Sequence, residues 1–120
     1  MSDHQFVHIE LSARDAAEAK KFYGKVFGWT FEDQPEQNYT IFSTGDKEVG
    51  GGFNPLTEQN PAGTVIVYIG TDDLDASNKA IKANGGTVTL ERYEIPNFGV
   101  MSMFKDPTGN LLALYQALNR

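Results

Sequence analysis

Several residue types that carry particular chemistries are absent or scarce in this sequence. The 120 residues include no cysteine, which excludes disulfide bonds, thiolate metal sites and a thiol nucleophile. No apolar stretch approaches the roughly 20 residues of a membrane-spanning helix, and the first residues lack the apolar segment of a secretory signal. Lysine and arginine number 10 against 16 aspartate and glutamate, a net charge of −6, which argues against binding to nucleic acid. We therefore expect a cytoplasmic protein with neither a membrane nor a nucleic acid as partner.

The length of the chain limits the size of its core. With 120 residues, 40% hydrophobic and 22% charged, it has the composition of one globular domain, which we expect to span residues 1–120. Such a core is marginally stable, because apolar burial nearly balances the conformational entropy lost on folding. Association of two copies would bury more surface, so we expect a homodimer.

The second half of the chain repeats the pattern of the first. A shift of 58 positions aligns three alternating apolar residues and one aspartate in each half: Val7, Ile9, Leu11 and Asp15 with Val65, Val67, Ile69 and Asp73. The alternation predicts a half-buried strand, and the aspartate predicts the start of a helix. Each half therefore opens with a strand followed by a helix.

The first of these helices has predictable ends. Asp15 and Glu18 have the spacing of a capping box, and Gly28 supplies a left-handed stop. Its buried face is predicted to consist of Ala19, Phe22, Tyr23 and Val26. In the second helix, Asp73 is the predicted cap.

Three short alternating segments follow each helix and predict three further strands per half. They cover residues 29–33, 39–44 and 48–53 in the first half, and 87–93, 100–105 and 111–116 in the second. We expect module one at about residues 4–53, a linker at about 54–63 and module two at about 64–117. The fold class is α+β, with two tandem βαβββ modules that form a curved, mostly antiparallel sheet around a pocket.

Strand parity places the side chains on two faces of this sheet, because they alternate along each strand. The faces toward the helices are expected to hold Val7, Ile9, Leu11, Val65, Val67, Ile69, Leu112 and Leu114. The opposite faces would line the pocket with the candidate ligand-binding residues Phe6, His8, Glu10, Ile66, Tyr68, Ala113 and Tyr115, and Tyr39 is a further aromatic candidate. A few polar groups among aromatic side chains suit a small organic ligand.

Three sequence elements resemble those of a known superfamily. They are His8-x-Glu10, the helix end from Phe22-Tyr23 to Phe27-Gly28-Trp29, and the turn Asp106-Pro-Thr-Gly-Asn110. Together they resemble the glyoxalase/bleomycin-resistance/extradiol-dioxygenase (vicinal oxygen chelate) superfamily, and most closely its lactoylglutathione-lyase-related branch. The resemblance covers nearly the whole chain. It implies paired βαβββ modules, a cup-shaped pocket and, in catalytic relatives, a divalent metal ion.

The resemblance also implies where metal ligands would lie. His8 matches the first ligand position, but the others fall on Ile66, Ala113 and the Gly50–Gly52 stretch. A divalent site normally needs three or four nitrogen and oxygen donors. We therefore expect a degenerate site without a tightly bound metal or other cofactor; any weakly bound ion would use His8 and Glu10. The glycine stretch itself is either a flexible edge or bulge, or a place where a ligand approaches the backbone.

Three functions agree with these features. The first, like bleomycin-resistance members, is metal-free binding of a small cationic or planar ligand, which a charge of −6 favours. The second is a glyoxalase- or isomerase-type lyase for a small oxygenated substrate, with Glu10 as proton acceptor and His8 as its acid/base partner. The third, ranked last, is a metal-dependent dioxygenase, which needs two histidines and a carboxylate. A buried, purely structural pair of His8 and Glu10 remains an alternative to a catalytic one.

Overall fold

The secondary structure repeats the order βαβββ twice. In a computed structural model, the described residues are 4–47 and 49–118. The elements are β1 (Phe6–Ala13), α1 (Ala16–Phe27), β2 (Thr30–Gln34), a short 3₁₀ turn (Pro35–Gln37), β3 (Tyr39–Ser43), β4 (Gly50–Pro55), β5 (Val65–Gly70), α2 (Leu74–Ala83), β6 (Thr87–Ile95), β7 (Gly99–Lys105) and β8 (Leu111–Ala117). The predicted α+β class is confirmed. The predicted strand 48–53 begins at Glu48, which lies outside the described residues.

The chain divides into two compact units. The first unit is His8–Ile66, and the second contains residues 4–7 together with residues 67–118. In the first unit the strand order is β2-β3-β4-β1. Strands β2, β3 and β4 are antiparallel neighbours, whereas β1 runs parallel to β4.

The second unit has the equivalent arrangement. Its strand order is β5-β8-β7-β6, with β5 parallel to β8 and the other two pairs antiparallel. The turn between β7 and β8 is closed by the amide of Gly109, which donates to the carbonyl of Asp106 at 2.9 Å. Gly109 has φ +107°, a backbone conformation that glycine adopts readily. This turn is the one that the Asp-Pro-Thr-Gly sequence predicts.

Both helices begin at the predicted aspartates. Asp15 Oδ1 accepts hydrogen bonds from the amides of Ala17 and Glu18, at 2.9 and 3.4 Å. The other half of the predicted capping box does not form as expected, since the Glu18 carboxylate accepts from the guanidinium of Arg14 at 2.8 Å. In α2, Asp73 Oδ1 accepts from the amide of Ala76 at 3.0 Å. Neither helix in the described part of the chain is long and apolar enough to cross a bilayer.

The core of the first unit is aromatic. The Tyr23 ring of α1 stacks on Trp29 with a centroid distance of 4.7 Å, and Trp29 stacks on Phe42 at the same distance. Tyr23 also contacts Phe53 of β4, at 5.6 Å. The prediction that Phe22 packs on this core is wrong, and the same holds for Val26: both side chains are 55% exposed. The rings of Trp29, Phe42 and Phe53 already fill the space next to Tyr23 beneath α1. The face of the helix that carries Phe22 and Val26 therefore stays exposed.

The core of the second unit is mostly aliphatic. Leu74, Phe104 and Leu114 form a buried cluster. The partly buried residues packed against it are Ile69, Ile81, Val88, Val100 and Leu112. The predicted inward orientation of Ile69, Leu112 and Leu114 is therefore confirmed. The prediction for Val65 is wrong, because this first residue of β5 is 52% exposed.

Candidate functional site

The candidate site lies on one face of the first unit. His8 and Glu10 are two residues apart on β1, so their side chains point to the same face. Tyr23 of α1 packs against Phe53, and Phe53 alternates along β4 with Gly52, whose Cα hydrogen points toward the ring of Tyr39. The face that carries His8, Glu10 and Tyr39 is therefore the one turned away from α1.

A tyrosine hydroxyl links the two polar residues of β1. The distance from His8 Nε2 to Tyr39 Oη is 2.7 Å. Tyr39 Oη in turn donates to Glu10 Oε2 at 3.0 Å. The rings of His8 and Tyr39 stack with centroids 6.2 Å apart. We call these three side chains the His8–Tyr39–Glu10 cluster.

Glycine at position 52 makes room for this tyrosine. In the β1–β4 register, Gly52 is the partner of Glu10. A Cβ atom at Gly52 would overlap Oη and Cζ of Tyr39, so any other residue would force the ring to move. The glycine stretch forms a regular strand rather than a bulge, and the groups that approach it closely are the rings of Tyr39 and Phe42.

Burial determines the charge state of the imidazole. It lowers the pKa of His8 from 6.5 to about 4, because the charged form loses solvation. His8 is therefore neutral at pH 7. Glu10 is 8% exposed, and the Tyr39 hydroxyl replaces part of the hydration that its carboxylate loses on burial.

The donor set does not fit the divalent metal ion that the family implies. Beside His8 and Glu10, the register places Gly52, which has no side chain to offer, and the space next to it holds the Tyr39 ring. Within residues 4–47 and 49–118, no three histidine, aspartate or glutamate side chains are grouped closely enough to hold a metal ion. A three-donor or four-donor site of the usual kind cannot be assembled from this set.

The other predicted pocket residues are distributed over both units. Ile66, in the first unit, is 6% exposed. In the second unit, Tyr68 is 7% exposed and donates its hydroxyl to Met101 Sδ at 3.9 Å. Ala113 is fully buried and lies opposite Tyr68 in the β5–β8 register. The Tyr115 hydroxyl donates to the carbonyl of Phe98 at 2.7 Å. Phe6 is 57% exposed.

Sequence reasoning did not anticipate a cleft of about 470 Å³ that involves α1 and β2–β4. Its charged groups include Lys20 and Asp33, which form an ion pair at 2.9 Å. Thr40 also donates to Asp33, at 2.8 Å. The cleft forms where residues of α1, β2, β3 and β4 come together, and no sequence motif marks it. Because its acidic group is already engaged by two partners, the cleft offers less reactive chemistry than the His8–Tyr39–Glu10 cluster.

Fold and site together define a class of protein. Two βαβββ repeats, with a polar cluster formed by the first and third strands, make a small α+β protein of the paired-module type. The chain belongs to the Glyoxalase/Bleomycin resistance protein/Dioxygenase superfamily, whose family model matches residues 5–114.

Named relatives agree with this assignment. CFP32 of Mycobacterium tuberculosis, named as a glyoxylase, is 33% identical over 116 residues, which cover 91% of this chain and 44% of that protein. A Vibrio parahaemolyticus protein named as a lactoylglutathione lyase is 30% identical over 128 residues, covering 97% of this chain and 93% of that protein. The structure of Streptomyces coelicolor methylmalonyl-CoA epimerase in complex with 2-nitronate-propionyl-CoA has a TM-score of 0.74 at 17% identity, covering 98% and 100% of the two chains. This last similarity shows a common fold. The chain spans less than half the length of the mycobacterial relative.

Proposed function

We propose that this protein binds a small organic ligand at the His8–Tyr39–Glu10 cluster and needs no metal ion to do so. One observation carries the proposal: three polar side chains from two strands form a continuous hydrogen-bonded chain, with 2.7 and 3.0 Å between their atoms. Polar groups that are held in place by hydrogen bonds are the usual anchors of small-molecule sites. The predicted lining residue Ile66, which lies in the same unit, would supply an apolar contact.

The charge of the cluster favours particular ligands. Glu10 is buried, and a carboxylate in such surroundings attracts a cation or a hydrogen-bond donor strongly. His8 is neutral at pH 7 because burial lowers its pKa to about 4, so it adds no positive charge to oppose a cationic ligand. The net charge of −6 acts in the same direction over a longer range. A planar or cationic organic molecule is therefore the proposed ligand class.

A thermal-denaturation screen tests this proposal. The probes are small aldehydes, thiol conjugates including S-lactoylglutathione, planar cationic antibiotics, and divalent ions, with the organic probes measured in the presence of EDTA. We expect an organic probe to raise Tm in EDTA because it binds only the folded chain. The rise should disappear in His8→Ala and persist in His4→Ala, which removes the other histidine. Stabilisation by divalent ions alone, lost in His8→Ala, would overturn the proposal.

A second candidate function, a glyoxalase- or isomerase-type lyase, is favoured by the position of Glu10. Its carboxylate is held by the Tyr39 hydroxyl at 3.0 Å, as a general base must be held to remove a proton from a bound substrate. The relative named as a lactoylglutathione lyase supports the same chemistry. If Glu10 is the base, the Glu10→Gln variant should still bind the ligand but should show no turnover. In a pure binding protein, the same change would alter only which ligand charge is preferred.

Homodimerisation and a cytoplasmic location stay predictions. Phe22, Val26 and Phe27 of α1 are 55%, 55% and 60% exposed, which is unusual for three large apolar side chains on one helix. Light scattering of the purified chain measures the molar mass directly. A mass of 13.2 kDa at all concentrations would contradict the dimer.

A further inference from the structure

One side of α1 leaves apolar side chains in contact with solvent. Phe22 and Val26 are four residues apart and therefore lie on the same side of the helix, and each is 55% exposed. The Tyr23 ring, next along the chain, instead packs on Trp29 and Phe53 beneath the helix. Large apolar side chains that are exposed next to each other, rather than singly, mark surfaces that bind another protein.

A groove of about 450 Å³ lies beside this side of the helix, within the first unit. Ala19, Phe22, Leu56 and Ala62 supply apolar parts of its lining, and Leu56 is 39% exposed. The groove follows the N-terminal half of α1, whereas Val26 lies beyond it toward the C-terminal end. The helix therefore presents an apolar recess near its start and an exposed apolar side chain near its end.

The charges on this side of α1 are also divided between its two ends. Arg14, Asp15 and Glu18 line the groove, and the Glu18 carboxylate accepts from the Arg14 guanidinium at 2.8 Å. The Asp15 carboxylate leaves this end with a net negative charge. Lys25 follows Phe22 by three residues, and in the described part of the chain it has no ion-pair partner. The C-terminal end of the same side is therefore positive.

We propose that two copies of this chain pack together through this side of α1, antiparallel about a two-fold axis at Phe22. This inference rests on the proposed homodimer and is independent of the ligand site. Residues at equal distances before and after Phe22 then lie opposite each other, so Val26 of one copy meets the groove beside Glu18 of the partner subunit. Lys25 lies opposite Ala19 of the partner subunit and next to the same carboxylate. A two-fold interface forms each of these contacts twice.

The complementary ends of α1 are the reason to assign a second copy as the partner. A two-fold interface requires a surface that complements itself, and this one pairs a recess with an apolar side chain and a negative end with a positive end. A parallel pair would instead place Lys25 against Lys25 of the partner subunit. Because α1 has 12 residues and is only about 18 Å long, the contact is small for a stable interface, so we expect a reversible dimer.

Light scattering of the full chain over a range of concentrations gives the dimer Kd and tests the face. Phe22→Ser should raise the Kd at least about a hundredfold, because both subunits lose their central apolar side chain. The matched control is Tyr93→Ser, which removes a ring that is 56% exposed in the second unit. It should change the Kd by less than about threefold.

Charge reversals test the antiparallel orientation and alter only exposed side chains, so they decide the matter even if Phe22→Ser does not fold. Glu18→Lys and Lys25→Glu should each raise the Kd about tenfold, because each variant sets like charges opposite each other twice per dimer. The double variant restores opposite charges and should return the Kd close to the wild-type value. Lys21→Glu makes the same charge change about 100° around the helix from Phe22 and should have little effect.

The possible outcomes separate this interface from the homodimer itself. A dimer that is insensitive to Phe22→Ser would overturn the α1 interface and leave the homodimer standing, whereas a mass of 13.2 kDa at every concentration would overturn both. Weaker association in both single charge variants without recovery in the double variant would overturn the antiparallel arrangement. No ligand takes part in these measurements, so the proposed ligand binding can fail or succeed separately.

Discussion

The two repeats of this protein use different polar contacts on similar frameworks. On the first strand of the first repeat stand His8 and Glu10, whereas the equivalent positions of the second repeat hold Ile66 and Tyr68. In the first unit the hydrogen-bonded cluster lies on the face away from α1. In the second unit, a buried polar contact lies beneath the helix, where Ser102 of β7 donates to Asn78 of α2 at 2.9 Å.

This difference separates polar groups that hold the fold from polar groups that can react. Asn78 is 1% exposed and also donates to the carbonyl of Glu91 at 2.9 Å. This bond gives the Glu91 carbonyl a partner at a point where the β6–β7 register is irregular. Both polar atoms of the Asn78 side chain are thus hydrogen-bonded within the fold, as buried polar groups usually are. The cluster of the first unit instead contains a carboxylate and an imidazole, and both can gain or lose protons. We therefore expect the first repeat to carry the reactive groups, whereas Asn78 and Ser102 of the second repeat contribute to stability.

The largest effect that tests this comparison is expected from Asn78→Ala. The change leaves the Ser102 hydroxyl and the Glu91 carbonyl without their partner and creates a cavity, so the free energy of unfolding should fall by about 4 kcal/mol. Urea denaturation measures it. Asn84→Ala, in which the exposed side chain loses one bond to the carbonyl of Ala80, is the control and should cost less than about 1 kcal/mol. Equal losses in the two variants would show that the buried contact has no special structural role.

Much of the fold was predictable from local patterns, but the composition of the site was not. The alternation along β1 placed His8 and Glu10 on one face, and the aspartates marked both helix starts. Tyr39 was a candidate only as an aromatic residue, because its contact with β1 depends on the strand order β3-β4-β1 and on the space at Gly52. Long-range strand order and a missing side chain leave no periodic signal in a single sequence.

The next effect is a pH dependence that His8 alone should produce. The pKa of His8 is about 4 in the folded chain and 6.5 in the unfolded chain, so protonation favours unfolding. The stabilisation is complete above pH 6.5, is lost as the pH falls from 6.5 to about 4, and amounts to at most about 3 kcal/mol. The difference in unfolding free energy between wild type and His8→Gln, measured across this range, isolates the effect from the carboxylates that both proteins share. A difference that does not change with pH would mean that His8 is more hydrated than the structure indicates.

Gly52→Ala tests the space that lets the two strands of the site meet. The added Cβ overlaps the Tyr39 ring, and forcing extra volume into a packed position costs about 2 kcal/mol of stability. The same variant should weaken ligand binding, since Tyr39 can no longer reach both His8 and Glu10. In the control Gly24→Ala, the new Cβ lies 3.3 Å from Phe31 Cε2, and the better helix propensity of alanine offsets the tight contact. Retention of ligand binding and stability in Gly52→Ala would show that the ring position is adaptable.

The smallest effects compare the two helix starts, which are alike in sequence. Asp15 accepts from two backbone amides, whereas Asp73 accepts from one, that of Ala76. Each aspartate-to-alanine change should cost about 1 kcal/mol, and Asp15→Ala should be the more damaging of the two if the number of satisfied amides decides the cost. Thermal unfolding of both variants in one buffer resolves the order. A larger loss of stability in Asp73→Ala would indicate that the burial of Leu74, the first residue of α2, decides the cost more than the number of capped amides does. The second unit would then depend more on the packing of its helix than on the hydrogen bonds at the start of that helix.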